Sequence, residues 1–309
     1  MLKNTIIIAN NIVEYFSSYI MQDKPIFFSR FGGSDTSIIR EYYKNKNLIN
    51  NNKWCQEYSN IIKMYNGYFD FNDDINNFQK FLENMIVYYK NTDDSSYCGS
   101  YIIDGNDAFF DYVLDGKAII DYGFIESVRP FLKSFTDWGL NKTILIISPF
   151  SKSIEYQFKN KDNLYLDYKF PEFVLKTYNT KITYNTIGDT KESLGLTTNN
   201  WHEECQRMAE DISKIDFDVA LLTCASYGMF LGNYIKYNMK KKAIYLGGVL
   251  NVFFNIYGGR YKNELLYYKP SGLNPDTQIN PLENSDIEKI LGGRDKSTEA
   301  LNAYFGKKK

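Results

Sequence analysis

The sequence of 309 residues contains one histidine, His202. A Ser-His-Asp triad, a Cys-His pair or a multi-histidine metal site would have to use this residue, so most of those chemistries are excluded. His202 lies in NNWHEECQRMAEDI, whose periodicity predicts an amphipathic helix, and a lone histidine there is typical of a helix surface. A bound metal is therefore expected to be Mg²⁺ or Mn²⁺, held by oxygen ligands.

Cysteine is also scarce, and one sign of charge does not dominate. The four cysteines (55, 98, 205 and 224) show no C-x-x-C spacing, which predicts reduced thiols and neither disulfides nor a zinc knuckle. A net charge of -1 without a basic stripe disfavours a nucleic-acid partner. No run of ~18 apolar residues and no signal-peptide pattern occur, so we expect a cytoplasmic protein without a membrane span.

Two nucleotide-binding motifs are missing as well. The sequence contains neither G-x-G-x-x-G nor G-x-x-x-x-G-K-[ST], which disfavours a nicotinamide enzyme and a P-loop ATPase. Aromatic residues, in contrast, are abundant, with 27 Tyr and 22 Phe. Tyrosine-lined surfaces suit the stacking of sugars, and they leave a homodimer open.

Apolar runs alternate with helical periods along the chain. The runs predict strands at 26–31, 143–148, 181–188, 217–224 and 241–248, and the periods predict helices at 10–22, 36–45, 54–65, 74–90, 151–158, 199–215 and 229–238. Residues 115–127 fit a strand or a helix. This alternation predicts an α/β fold with a mostly parallel, Rossmann-like sheet covered by helices on both faces. A soft boundary suggests parts 1–140 and 141–309, although one continuous domain fits too.

The turn SRFGGSD follows the first predicted strand. Ligands bind beyond the carboxyl ends of parallel strands, so this turn is a candidate site. Gly32, Gly33 and Ser34 would let a phosphate approach the backbone at a helix N-terminus, and Arg30 could pair with it bidentately. Asp35 could ligate a metal or accept a sugar hydroxyl. The alternative is a tight turn in which Ser34 or Asp35 caps the helix and Arg30 is structural.

Two other strand ends offer candidate donor-binding residues. In CASYG, Ser226, Tyr227 and Gly228 stand where a phosphate would bind, and close strand–helix packing explains the small residues equally well. In SKSIEYQF, Lys152 and Gln157 lie on a helix just past a strand. A solvated helix face is the simpler interpretation of these two.

The segment KKKAIYLGGVLNVFFNIYGGRY places two glycine pairs and an arginine around one apolar stretch. Gly247 and Gly248 follow a strand, and Asn251 lies at the start of the next helix, which Gly258 is predicted to cap at its C-terminus. We expect the glycines to let backbone amides, together with Arg260, approach a charged ligand.

Taken together, these blocks resemble a known family. ISPFSKSIEYQF, FPEF, DISKIDFDVALLTCASYGMFLGNYIK and KKAIYLGGVLNVFFNIYGGRY are similar, in this order, to the blocks of GT-D-like glycosyltransferases from polysaccharide-building systems of bacteria and large viruses. In that pattern CASYG corresponds to CGAYG. SRFGGSD is similar to the family's R-x-G-D-G-E turn, and the blocks cover most of the chain.

The resemblance implies a glycosyltransferase that moves a sugar from a nucleotide sugar, such as a UDP-sugar, to a glycan or another hydroxyl acceptor. It implies catalytic roles for Arg30 and Asp35. It also implies that the protein is cytoplasmic, and that a viral member of the family would be located in the cytoplasm of the host cell. The family's D-x-E carboxylates serve Mn²⁺ or Mg²⁺ and the donor. Here Asp35 matches the second carboxylate and Gly33 replaces the first, which weakens the implied metal dependence.

Two other functions remain open at the sequence level. The missing carboxylate is compatible with a noncatalytic nucleotide- or glycan-binding protein of the same fold. A methyltransferase-like enzyme would also use a doubly wound sheet, but the absence of a G-x-G-x-G loop counts against it.

Overall fold

A computed structural model describes residues 6–7, 12–97, 107–121, 128–180, 191, 195–256 and 272–283. The strands are β1 Ile6–Ile7, β2 Ile26–Phe31, β3 Ser95–Tyr97, β4 Ile119–Asp121, β5 Thr143–Ser148, β6 Val174–Asn179, β7 Val219–Leu222 and β8 Lys242–Tyr245. The α-helices are α1 Ile12–Met21, α2 Gly33–Lys44, α3 Asn52–Asn66, α4 Ile75–Asn91, α5 Ala108–Val113, α6 Arg129–Trp138, α7 Ser151–Phe158, α8 Trp201–Ile212, α9 Tyr227–Tyr237 and α10 Val249–Phe253.

All these strands join in one sheet. Its order is β1-β4-β3-β2-β8-β7-β5-β6, and every neighbouring pair is parallel. The predicted α/β fold with a parallel, Rossmann-like sheet is therefore confirmed. Strands from both sides of residue 140 lie in this sheet, and the division into parts 1–140 and 141–309 stays a prediction.

Helices cover both faces of the sheet. One face, which includes Phe27 and Phe31 of β2, packs against α2, α3, α4, α5, α8 and α9. The other face, which includes Ile26 and Phe28, packs against α1, α6, α7 and α10. Burial on both sides explains why the central strands are continuous apolar runs without polar alternation.

Most predicted elements are present in the structure. Strands 26–31 and 143–148 match β2 and β5, and the undecided segment 115–127 contains β4. The edge strand β6 was not predicted, because its residues are only partly buried and form no apolar run. The predicted strand 181–188 lies outside the described residues. The predicted C-cap at Gly258 is wrong, since α10 already ends at Phe253.

The scarce residues have ordinary places. Cys55, Cys205 and Cys224 are free thiols in the core, and Cys98 lies outside the described residues. His202 is half-buried on α8, where its Nε2 lies 3.0 Å from the carbonyl oxygen of Asn77 and burial lowers its pKa. Among the helices that the structure describes, none is long and apolar enough to cross a bilayer.

Candidate functional site

The carboxyl ends of β2 and β8 form a topological switch point. The two strands are neighbours, yet the chain leaves β2 towards α2 on one face of the sheet and leaves β8 towards α10 on the other face. In open parallel sheets, connections that diverge in this way mark the place where ligands bind; we call the carboxyl ends of β2 and β8 the crevice. The predicted turn SRFGGSD and the pair Gly247-Gly248 lie on its two sides.

Arg30 crosses from β2 to the end of β8. The register pairs Phe28 with Ile244, so Arg30 lies level with Leu246. The side chain is 9% exposed, and a Cβ added to Gly247 would overlap its Nη1 atom. Gly247 also has a φ of 61°, a conformation that favours glycine. The first glycine of the pair therefore makes room for Arg30.

The backbone amide of Gly247 has a partner within the protein. Its N–H donates to the carbonyl oxygen of Leu222 at the end of β7, with a distance of 3.2 Å. This amide is therefore paired within the protein, and the donor-binding role of Gly247 stays a prediction. Gly248 is the N-cap residue of α10 and is partly buried.

Asp35 is a buried carboxylic acid near the beginning of α2. It is 3% exposed, and its Oδ2 accepts a hydrogen bond of 3.0 Å from the Tyr89 hydroxyl. Its Oδ1 has no hydrogen-bond partner in the described part of the chain. Burial raises the pKa of Asp35, while the Tyr89 bond and the charge of Arg30 oppose this shift. A Cβ on Gly32 would overlap the carboxylate, so Gly32 makes room for Asp35.

Tyr89 belongs to the site, although no local sequence pattern indicates it. It lies on α4, and its ring stacks on Phe31 of β2 with a centroid distance of 4.5 Å. Its hydroxyl contacts Asp35 and lies 3.3 Å from Oγ1 of Thr36. Because 54 residues separate Tyr89 from Asp35 in the chain, only the packing of α4 on β2 brings them together.

Asn251 lies on the β8 side of the crevice. It is one of the five residues of α10, is 4% exposed, and its Oδ1 has no hydrogen-bond partner among the described residues. The sequence placed Asn251 among the donor-binding residues. The structure brings it within one helical turn of Gly247, the glycine against which Arg30 packs.

The CASYG segment forms a packing junction. The Ser226 hydroxyl donates to the carbonyl oxygen of Asn66 at 2.7 Å and accepts from the Trp201 indole at 2.9 Å. Tyr227 stacks on Trp201. Gly228 leaves space for the ring of Tyr245, because an added Cβ would lie 2.7 Å from it. These three residues make packing contacts and hydrogen bonds inside the protein, and their predicted donor-binding role stays a prediction.

The two candidates on α7 lie at the neighbouring end of β5. Lys152 is exposed. The amide nitrogen of the buried Gln157 donates to the carbonyl oxygens of Asn255 at 3.2 Å and Thr277 at 2.8 Å. The second of these bonds attaches residues 272–283 to α7. Their donor-binding role also stays a prediction. Arg260 and the side chain of Ser34 lie outside the described part of the structure.

Ala225, at the end of β7, adopts a left-handed backbone conformation with a φ of 50°. A residue with a Cβ pays about 1–2 kcal/mol there. We expect Ala225→Gly to raise the free energy of unfolding by about 0.5–1 kcal/mol, since the relieved strain exceeds the chain entropy that glycine adds. Urea unfolding measures this change. The control Ala220→Gly, inside β7, should lower stability, and an equal loss in both variants would contradict the strain at Ala225.

A divalent metal does not fit the described residues well. No group of three or more His, Cys, Asp or Glu side chains that could hold a metal occurs among them. Asp35 offers one free carboxylate oxygen, and Gly33 offers none. The charge of Arg30 reaches Asp35 and would repel a cation there.

Comparison with known proteins adds no relative. No protein-family model, no curated protein and no solved structure matches the chain. The resemblance to GT-D-like glycosyltransferases therefore rests on the sequence motifs alone, on their residues and on their order along the chain.

Proposed function

We propose that the protein transfers a sugar from a nucleotide-sugar donor to a hydroxyl group of a glycan or another acceptor. One observation carries this proposal: a buried carboxyl group, Asp35, and a buried guanidinium, Arg30, both lie at or just after the carboxyl end of β2 at the switch point, and the charge of Arg30 acts on Asp35. Inverting glycosyl transfer without a metal needs two groups, a base for the acceptor hydroxyl and a fixed cation for the departing diphosphate. The resemblance of the sequence blocks supports the same reaction.

Arg30 would stabilise the departing diphosphate. Glycosyl transfer leaves negative charge on the nucleoside diphosphate, and fixed positive groups aimed at that charge lower the barrier. A guanidinium pairs with phosphate oxygens bidentately, and its interaction is stronger where water is excluded. The N-terminus of α2 adds a partial positive charge, since its N-cap Gly32 provides no side-chain cap.

Asp35 would accept the proton of the acceptor hydroxyl. Its Oδ1 has no hydrogen-bond partner among the described residues, while the Tyr89 hydroxyl donates a hydrogen bond to Oδ2. A pKa raised by burial makes the carboxylate a stronger base than that of an exposed aspartate. As the proton moves to Oδ1, the acceptor oxygen attacks the anomeric carbon and the diphosphate leaves, which inverts that centre.

The first test is a thermal-shift panel of nucleoside diphosphates and nucleotide sugars, each with and without Mn²⁺. A ligand that binds the native state at a hundred times its Kd stabilises it by about 2.7 kcal/mol, so the true donor must raise Tm. We expect a shift that Mn²⁺ does not enlarge. Arg30→Gln should remove the shift.

Arg40→Gln is the matched control, because Arg40 pairs with Asp107 and lies outside the crevice. It should lower Tm without changing the ligand-induced shift. A shift that requires Mn²⁺ would contradict the metal-independent mechanism. Binding without any sugar transfer to an added acceptor would instead support the noncatalytic binding protein, which the glycine at position 33 favours.

A further inference from the structure

Asn251 carries a buried hydrogen-bond acceptor that the protein leaves unused. Its Oδ1 has no partner among the described residues, although the residue is almost fully buried. Leaving a buried polar group unsatisfied is costly, and folded proteins keep few of them. A ligand that offers a donor at this point would remove the cost.

The position of Asn251 relates it to the proposed site. The backbone N–H of Asn251 donates to the carbonyl oxygen of Gly248 at 3.1 Å. Gly247, the residue before Gly248, packs against the guanidinium of Arg30. The charge of Arg30 in turn reaches Asp35, whose Oδ1 is also without a partner in the described chain. Arg30 thus packs on the glycine before α10 and its charge acts on Asp35 of α2, and each of these two helices carries one buried oxygen without a partner in the described chain.

The hydrogen-bonding character of these atoms selects the ligand group. Phosphate oxygens at neutral pH are acceptors, so they cannot satisfy Oδ1 of Asn251 and instead suit the guanidinium of Arg30. Hydroxyl groups donate, and a sugar ring presents several of them next to its phosphate. A nucleotide sugar therefore offers a matching group to the cation and to an unused acceptor beside it.

We infer that Oδ1 of Asn251 accepts a hydrogen bond from a ring hydroxyl of the transferred sugar, which makes Asn251 a residue that determines sugar specificity. This inference rests on the proposed function, because it assigns each part of the nucleotide sugar and the acceptor to one residue of the crevice. Arg30 holds the diphosphate, Asp35 receives the acceptor hydroxyl, and Asn251 contacts the donor sugar.

Two other buried oxygens without partners lie away from the crevice. Asn233 is buried between α9 and α4, where its Nδ2 donates to the carbonyl oxygens of Met229 at 2.9 Å and Tyr88 at 3.2 Å. These bonds account for its burial. Thr180 follows β6 at the edge of the sheet, and β5 and β7 separate that strand from β8. Thr180→Val is therefore a control that removes an unpartnered oxygen elsewhere.

The experiment compares each nucleotide sugar with its own nucleoside diphosphate by isothermal titration. The probes are UDP-glucose, UDP-galactose, UDP-GlcNAc and GDP-mannose, each beside UDP or GDP. The ratio of the two Kd values measures what the sugar adds. For at least one pair we expect the wild type to bind the nucleotide sugar about five- to tenfold more tightly, the effect of roughly one hydrogen bond.

In Asn251→Leu this ratio should fall to near one, with the Kd of the nucleoside diphosphate unchanged, and Thr180→Val should keep the wild-type ratio. Asn251→Ala serves as the second variant if leucine prevents folding. An equal loss for nucleotide sugar and nucleoside diphosphate would overturn the inference, because Asn251 would then contact the nucleotide. So would a wild-type ratio near one for every pair. If the sugar tightened binding but no sugar were transferred, the proposed glycosyl transfer would be contradicted and the inferred contact of Asn251 would stand.

Discussion

Replacing Gly247 by alanine is expected to lower the free energy of unfolding by about 2–5 kcal/mol and to abolish nucleotide binding. Two costs add. The left-handed backbone, with a φ of 61°, costs a residue with a Cβ about 1–2 kcal/mol. The new methyl group would also overlap Nη1 of Arg30, and overpacking of this kind costs about 1–3 kcal/mol. Arg30 must move, so the cation leaves the position from which its charge acts on Asp35.

Gly116 provides the matched control. Its φ of 71° is equally left-handed, but an added Cβ would meet no atom within 4 Å. Gly116→Ala should therefore show only the backbone cost, about 1–2 kcal/mol, and should bind ligand as the wild type does. Urea unfolding and ligand titration of both variants separate the two effects. If Gly247→Ala lost no more stability than Gly116→Ala and still bound ligand, the contact between Gly247 and Arg30 would not matter.

The fold could be predicted because its central strands are buried on both faces. IFFSRF and TILIIS are nearly continuous apolar runs, and these two strands have the predicted bounds. The outer strands lack this signal. β3 and β4 have three residues each, too few to show any period, and β6 exposes both ends and only partly buries the rest. Short or half-exposed strands depend on their neighbours in the sheet, which a local pattern does not contain.

The candidate site could be predicted only where its residues are local in sequence. Arg30 and Asp35 lie in one glycine-rich turn after a strand, a pattern that indicates a ligand site. The role of Gly247 could not be predicted, because the atoms that need its space belong to Arg30, which precedes it in the chain by more than 200 residues. CASYG shows the reverse case, since small residues after a strand are also what close packing on Trp201 and Tyr245 requires.

Asp35→Asn is expected to reduce sugar transfer about 10²–10⁴-fold, the usual contribution of a general base, while nucleotide binding by Arg30 persists. The same variant should be more stable than the wild type at pH 8. Burial raises the pKa of Asp35 despite the charge of Arg30, so the folded protein favours the neutral acid. Asparagine resembles that neutral form and never has to ionise in the interior.

The sign of the pH dependence follows from linkage. Because its pKa is raised on folding, Asp35 keeps its proton in the folded protein at pH values where the unfolded chain has released it. The wild type therefore loses stability as the pH rises through the folded pKa of Asp35. The Asp35→Asn variant has no carboxyl group at this position, so it does not show this loss of stability. The stability difference between variant and wild type should grow from pH 4 to pH 8, as urea unfolding at both values would measure.

Asp107 supplies the opposite control on the same part of the structure. Burial alone would raise the pKa of Asp107, but the hydrogen bonds from Lys44 and Arg40 outweigh burial and lower it. Its contribution is present above the unfolded pKa and disappears at low pH, so Asp107→Asn should destabilise the protein at pH 8. If Asp35→Asn behaved in the same way, the carboxylate of Asp35 would be satisfied by its surroundings. A carboxylate so stabilised would be a poor base, and the proposed role of Asp35 in proton transfer would fall.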